Sequence, residues 1–349
     1  MTDDDVEISP SSWEYRLVAA VVHAVERRAG GGVDGPRTRW NRELLAETDP
    51  DDLGGASVDG SLSVSVVHVL EPLREARDLD RPLTAGEAWK LRQAIATLIH
   101  EAAHLMTPVG DRTAPEAYPL DDAATAYDEG LVEHWTHRNL DSVITEVFAD
   151  AGLDGAAAAV LSQPGYDAYP AYTPAARHLS DALAERSGLT STQVTQKLLC
   201  ADDRQRWNVA VDLVIDKQLP LMPEAHRAQV RRQLVAPLRE SLSGLGAVED
   251  DESLDYEQQS DEAVKAAQSA IAGLDRELES IQRKYQIEAP QLSPDLARLR
   301  AVTSGQAPPA GATDQRAGVT DRATTGPHSG SSGQQGPRRQ PGPHRHGLG

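Results

Sequence analysis

The chain has 349 residues, a net charge of −20 and 39% hydrophobic content with a single Phe, so the globular part should be shorter than the full length. An acidic field of that size disfavours nucleic acid and anionic membranes as partners. Cys200 is the only cysteine, which excludes an internal disulfide framework or a cysteine-rich metal site and fits a reducing, cytoplasmic setting.

The first ten residues are acidic where a secretory signal would be basic, and no apolar run reaches the roughly 18 residues of a membrane span. Neither a signal peptide nor a span is expected. Residues 12–28 then read as a helix with Trp13, Leu17, Ala20, Val21, Ala24 and Val25 on one side, stopped at Gly30-Gly31-Gly32. The stretch to Gly60 is polar and turn-rich, and around Trp40, Leu44 and Leu45 a short helix is expected. Residues 61–70 alternate, which places Leu62, Val64, Val66, His68 and Leu70 on one face of a strand.

Thr84 and Glu87 form a capping-box pattern that opens a long helix. Leu91, Ile95, Leu98, Ala102 and Leu105 recur at intervals of three and four, and Pro108 ends the run. Late in this helix stands His100-Glu101-Ala102-Ala103-His104. Residues four apart share a helix face, so the two imidazoles can grip one metal ion while Glu101 addresses a bound water. A solvated helix face could carry the same letters. Against that, an unpartnered Glu101 between Ile99 and Leu105 would be costly to bury.

Residues 111–119 read as a loop, and Asp121 or Asp122 can cap a helix to about Arg138, with 140–151 continuing helically. A tyrosine-rich loop (Tyr166, Tyr169, Tyr172) precedes helices over 173–185, 191–199, 203–217 and 223–242. The globular part is expected to close near Gly246. An acidic linker follows, then 257–287 with Val264, Ala267, Ile271, Leu274, Leu278, Ile281 and Tyr285 at heptad-like intervals. Pairing in a coiled coil, or folding back on the domain, would bury that stripe. Gly, Pro, Ser and Gln dominate from about Thr303, which predicts a disordered tail; its His328, His344 and His346 form a weak metal-binding tract at most.

A catalytic zinc site needs three protein ligands and an open position. Thr107 and Gly110 stand where a metzincin has Gly and His, and no cysteine precedes His100 as peptide deformylase requires. The segment Tyr127-Asp128-Glu129-Gly130-Leu131-Val132-Glu133-His134 offers two carboxylates one turn apart on one face. Over the pentad and this segment the chain resembles the gluzincin group of HExxH zinc metallopeptidases, within the zincin-like superfamily. The gap of 24 residues between His104 and Glu129 exceeds that of the commonest members.

The resemblance implies His100, His104 and Glu129 as zinc ligands, Glu101 as general base, and Glu133 as the carboxylate that orients a ligand histidine, with Glu133 the rival third ligand. It also implies a sheet strand beside the cleft, and an oxyanion donor after the third ligand, for which Tyr166, Tyr169, Tyr172 and His178 are candidates. The expected fold is mainly α with a small β-sheet (α+β). Residues 1–246 would form a zincin-like metallohydrolase domain, 247–302 an acidic linker with a lone or coiled-coil helix, and 303–349 the tail. The expected activity is zinc-dependent hydrolysis of a peptide or protein substrate, water being activated by Zn2+ and Glu101. The alternatives are an inactive zinc-stabilised scaffold, or an interaction protein that self-associates or binds a protein partner through 257–287.

Overall fold

The computed structural model describes residues 6–30 and 37–288. The expected tail and its three histidines lie outside them. Among the described residues the fold is mainly helical with one small mixed sheet, as the sequence implies.

A short strand β1 (Val6–Glu7) leads to α1 (Trp13–Gly30), whose Leu17, Val18, Val21, Val22 and Val25 are fully buried. The expected short helix near Leu44 is instead β2 (Leu44–Glu47), and β3 (Gly54–Ala56) and β4 (Leu62–Ser65) complete a sheet of order β1-β2-β4-β3. β2 and β4 run parallel, Leu44 opposite Leu62; β3 is an antiparallel edge, Ala56 opposite Leu62. Only half of 61–70 is strand. The Ser65 side chain accepts from the His68 N–H and winds Val66–Leu70 into a π-helical turn, which leaves Val67 and His68 outside the core.

That turn runs into α2 (Glu71–Asp78). α3 (Ala85–His104) opens with the expected capping box: the Glu87 N–H donates to Thr84 Oγ1 at 3.3 Å and the Thr84 N–H to Glu87 Oε2 at 2.7 Å. Its Leu91, Ile95, Leu98 and Ala102 are fully buried.

α4 (Asp122–Ala151) is one helix of 30 residues, the expected helix to Arg138 and its continuation over 140–151 forming a single run. No residue at their junction stops it: the Asn139 side chain donates back to Trp135 O within the helix, and the end comes at Gly152, whose φ of 74° suits glycine. α5 (Asp154–Leu161), α6 (Thr173–Ser187), α7 (Ser191–Leu199), α8 (Arg206–Gln218), α9 (Arg227–Leu242), α10 (Leu245–Glu249) and α11 (Tyr256–Glu288) follow.

Two apolar layers result. One joins α1, the sheet, α3, α5 and the later half of α4; the other joins the first half of α4 with α6, α8, α9 and α11. α4 is the beam common to both. The expected boundary at Gly246 therefore falls inside a packed layer: Ala263, Ala267, Ala270, Leu274, Leu278 and Ile281 of α11 are buried against it, and residues up to Tyr285 form one compact unit. Gly273 lets the arm approach Pro237 of α9, since a Cβ there would lie 2.5 Å from the Pro237 Cβ. Arg186 clamps Asp275 through two hydrogen bonds of 2.7 and 2.6 Å. The stripe offered for a coiled coil is thus occupied within the chain.

Candidate metal centre

The last turn of α3 faces the first half of α4, and the side chains named from the sequence meet there. His100 Nε2 lies 3.1 Å from His104 Nε2 and 3.2 Å from Glu129 Oε2, and His104 Nε2 lies 3.4 Å from the same oxygen. Donors on a tetrahedral zinc, with bonds of about 2.0–2.1 Å, stand roughly 3.3–3.4 Å apart. The three atoms thus already have the spacing of a metal triad, and the donor set of two imidazoles and one carboxylate suits a zinc ion.

Each imidazole is turned by a partner on its other nitrogen. His100 Nδ1 is 2.7 Å from Glu133 Oε2, so with the proton on Nδ1 the Nε2 lone pair points at the triad. His104 Nδ1 faces Asp128 Oδ2 at 3.5 Å, and Asp128 is itself ion-paired with the buried guanidinium of Arg206. Arg206 also donates to Thr107 Oγ1 at 2.8 Å and to Leu198 O at 3.0 Å, tying the exit of α3 to α4 and to α7. Glu133 Oε1 accepts from His137 at 2.8 Å and from the Ala168 N–H at 3.3 Å.

The electrostatics follow from this crowding. Burial depresses the His100 pKa, but Glu129 and Glu133 outweigh it and hold the imidazole up at about 10; Glu129 and Asp128 likewise raise His104 well above its ordinary value. Burial favours a neutral Glu133, yet the hydrogen bonds from His100 and His137 bring it down to about 2. Arg206, then His104, bring buried Asp128 down to about 2, and the two histidines lower Glu129. Glu101 goes the other way: burial and the Glu129 charge raise its pKa, while its carboxylate accepts the N–H of Ala56 on edge strand β3. A carboxyl group so raised suits proton transfer.

Of the four expected donors, Tyr169 alone reaches the cluster. Its ring stacks on His100 with centroids 5.5 Å apart, and its hydroxyl donates to Glu129. Burial and the Glu129, Glu101 and Glu133 charges raise its pKa well above normal. Tyr172 is buried behind it, Tyr166 is exposed, and half-buried His178 makes no hydrogen bond to the donors.

Sequence reasoning missed a second group, Glu133, His137 and Asp167, also spaced to hold a metal. The four-residue step from Glu133 to His137 was a visible signal; Asp167 and Arg206 carried none. No family model, curated protein or solved structure matches the chain.

Proposed function

We propose that this chain is a zinc-dependent peptide-bond hydrolase with a zincin-like core of the gluzincin kind. One observation carries the reading: two imidazole nitrogens and a carboxylate oxygen converge at metal-ligand spacing beside a carboxyl group, Glu101, whose pKa is raised. In this reading His100, His104 and Glu129 hold the ion, and Glu133 and Asp128 orient the two imidazoles. Zinc, when bound, supplies a polarised carbonyl and a water that ionises near neutral pH.

Glu101 takes the proton of the attacking water and passes it to the leaving amine. The Tyr169 hydroxyl, which donates to Glu129 in the resting site, is the donor that would turn to the developing oxyanion. Edge strand β3, whose Ala56 N–H meets Glu101, supports an extended substrate laid beside it. No helix among the described residues is long and apolar enough to cross a membrane, and none is required by this activity.

The test pairs metal analysis with one substitution. The protein purified without chelator should carry one zinc, and Glu101→Gln should keep it while peptide hydrolysis collapses. Metal-free native protein, or equal activity in the variant, refutes the proposal.

A further inference from the structure

The loop that carries Tyr169 belongs to no regular element, yet it is fastened from four sides. Its Ala168 N–H donates to Glu133 at 3.3 Å, and Asp167 Oδ1 accepts from the Tyr169 N–H at 3.0 Å and Thr173 Oγ1 at 2.8 Å. On α4, Gly130 admits the Tyr172 carbonyl, which would lie 2.4 Å from a Cβ at that position.

The remaining ties come from the C-terminal arm. Glu249, the last residue of α10, accepts the Ala171 N–H through Oε2 at 2.8 Å. Tyr256, the first residue of α11, hydrogen-bonds Asp167. Gln259 of α11 donates to the carbonyls of Val248 and Glu249 at 2.9 and 3.0 Å, so α10 is itself held by the long helix. The Ala171 N–H that Glu249 grips is two residues from Tyr169 along the chain, and Tyr172 and Thr173 both donate their N–H to the Tyr169 carbonyl at 2.9 Å. A shift at Ala171 is therefore transmitted to the turn that aims the Tyr169 ring.

We propose that the C-terminal arm is a positioning element of the metal centre: Glu249, braced by α11, holds the 165–172 loop so that the Tyr169 hydroxyl stays beside Glu129 and the two histidines. The role of Tyr169 as oxyanion donor rests on the hydrolase reading; the mechanical link from Glu249 to Tyr169 does not. Glu249 meets the loop at the Ala171 N–H, so its effect on the metal centre is passed on by the turn that carries Tyr169.

Full-length protein is compared in four forms: parent, Glu249→Ala, Glu249→Gln and Tyr169→Phe, with the Glu249→Ala/Tyr169→Phe double variant. Amide exchange of the 165–172 loop should accelerate in Glu249→Ala and return toward the parent in Glu249→Gln, whose amide oxygen can still accept from Ala171. In peptide hydrolysis Glu249→Ala should lower kcat by roughly 10- to 100-fold at unchanged KM and zinc content, the scale expected of a misplaced catalytic group. Added to Tyr169→Phe, it should cost nothing more.

Unchanged loop exchange in Glu249→Ala, or an equal fall in kcat with and without the Tyr169 hydroxyl, overturns the proposal. If the parent hydrolyses nothing, the hydrolase reading fails separately. The link is then read from the visible spectrum of the cobalt-loaded chain, which Tyr169→Phe and Glu249→Ala should shift alike. A spectrum moved only by Tyr169→Phe rejects the link.

Discussion

The two carboxylates of α4 can be separated by what each removal leaves behind. Glu129→Ala deletes one donor of three, and two imidazoles do not hold zinc against water as a catalytic site must. Glu133→Ala deletes no donor. It strips the acceptor 2.7 Å from His100 Nδ1, the acceptor 2.8 Å from His137, and the partner of the Ala168 N–H. His100 and Glu133 are both buried, at 6% and 5% exposure, so water cannot readily replace the lost partner.

Each buried donor left unpaired costs about 1–3 kcal/mol, and the part felt by the metal is the freedom His100 regains to turn its ring away. A loss of roughly 10- to 100-fold in zinc affinity follows, about 1.4–2.7 kcal/mol. Glu133→Gln keeps one acceptor oxygen and should lose less. Competition against a chelator of known affinity ranks the parent and three variants. The expected order is parent, Glu133→Gln, Glu133→Ala, Glu129→Ala. If Glu133→Ala binds more weakly than Glu129→Ala, the ligand lies one turn further along α4; if all four bind alike, the triad is not the metal site.

Zinc affinity should climb with pH. Because the raised pKa values of His100, about 10, and His104 keep protons on the imidazoles at neutrality, each proton displaced by the ion adds tenfold per pH unit; calorimetry in buffers of different ionisation enthalpy should register the released protons, and a pH-independent affinity contradicts the pairing described. In chelator-treated protein the same His–carboxylate pairs have the opposite effect on the fold: their stabilisation is complete below the unfolded histidine value near 6.5 and fades as pH rises through about 10, so melting points should fall from pH 6 to pH 10. Gly130→Ala should cost about 1–3 kcal/mol of stability, because the new methyl meets the backbone carbonyl of Tyr172 rather than a movable side chain; an unchanged denaturation midpoint argues against that contact. Truncation after Gly246 should remove Leu274, Leu278 and Ile281 and open to water the groove they fill, a loss of roughly 1.5–3 kcal/mol for each large apolar side chain so uncovered, and yield a chain that unfolds at lower denaturant or aggregates; a cooperative, parent-like transition refutes the packing of α11.

What the sequence disclosed depended on the range of the interaction. The capping box at Thr84, the buried stripe of α3 and the shared face of Glu129 and Glu133 are set within a few residues, and all three stand in the structure as expected. The heptad-like stripe of 257–287 was equally visible, but periodicity states only that a face must be covered. What covers it is α9 and its neighbours, through contacts such as Gly273 on Pro237 that no local pattern encodes. β2 was missed because a strand of four residues, three of them buried in succession, has no alternation to show, and the end of β4 because one serine cap outweighs three further alternating positions. Tyr169 could be named as one candidate among four, while its selection rests on a loop fixed by Glu133, Gly130 and Glu249, residues drawn from two other helices.

The long gap between His104 and Glu129 is accounted for by the same kind of distant support. The connection between α3 and α4 does not simply span the two helices that carry the triad. It is pinned to the turn before α8, where the Gly110 N–H donates to Asp203 Oδ1 at 2.8 Å and the Tyr118 N–H to Arg204 O at 2.9 Å. Gly110 sits so close to that turn that a Cβ would lie 2.0 Å from Asp202 Oδ1. Arg206, the next helix's first residue, then reaches back to Thr107 at the end of α3 and to Asp128 beside Glu129. The register of α3 against α4 is therefore held by a guanidinium from α8 and by the layer common to both helices, and the number of residues in the connection places little constraint on it. Removing one partner of such a buried pair leaves the other charge stranded, which makes Arg206 and Asp128 a structural requirement of the donor geometry as well as of the fold.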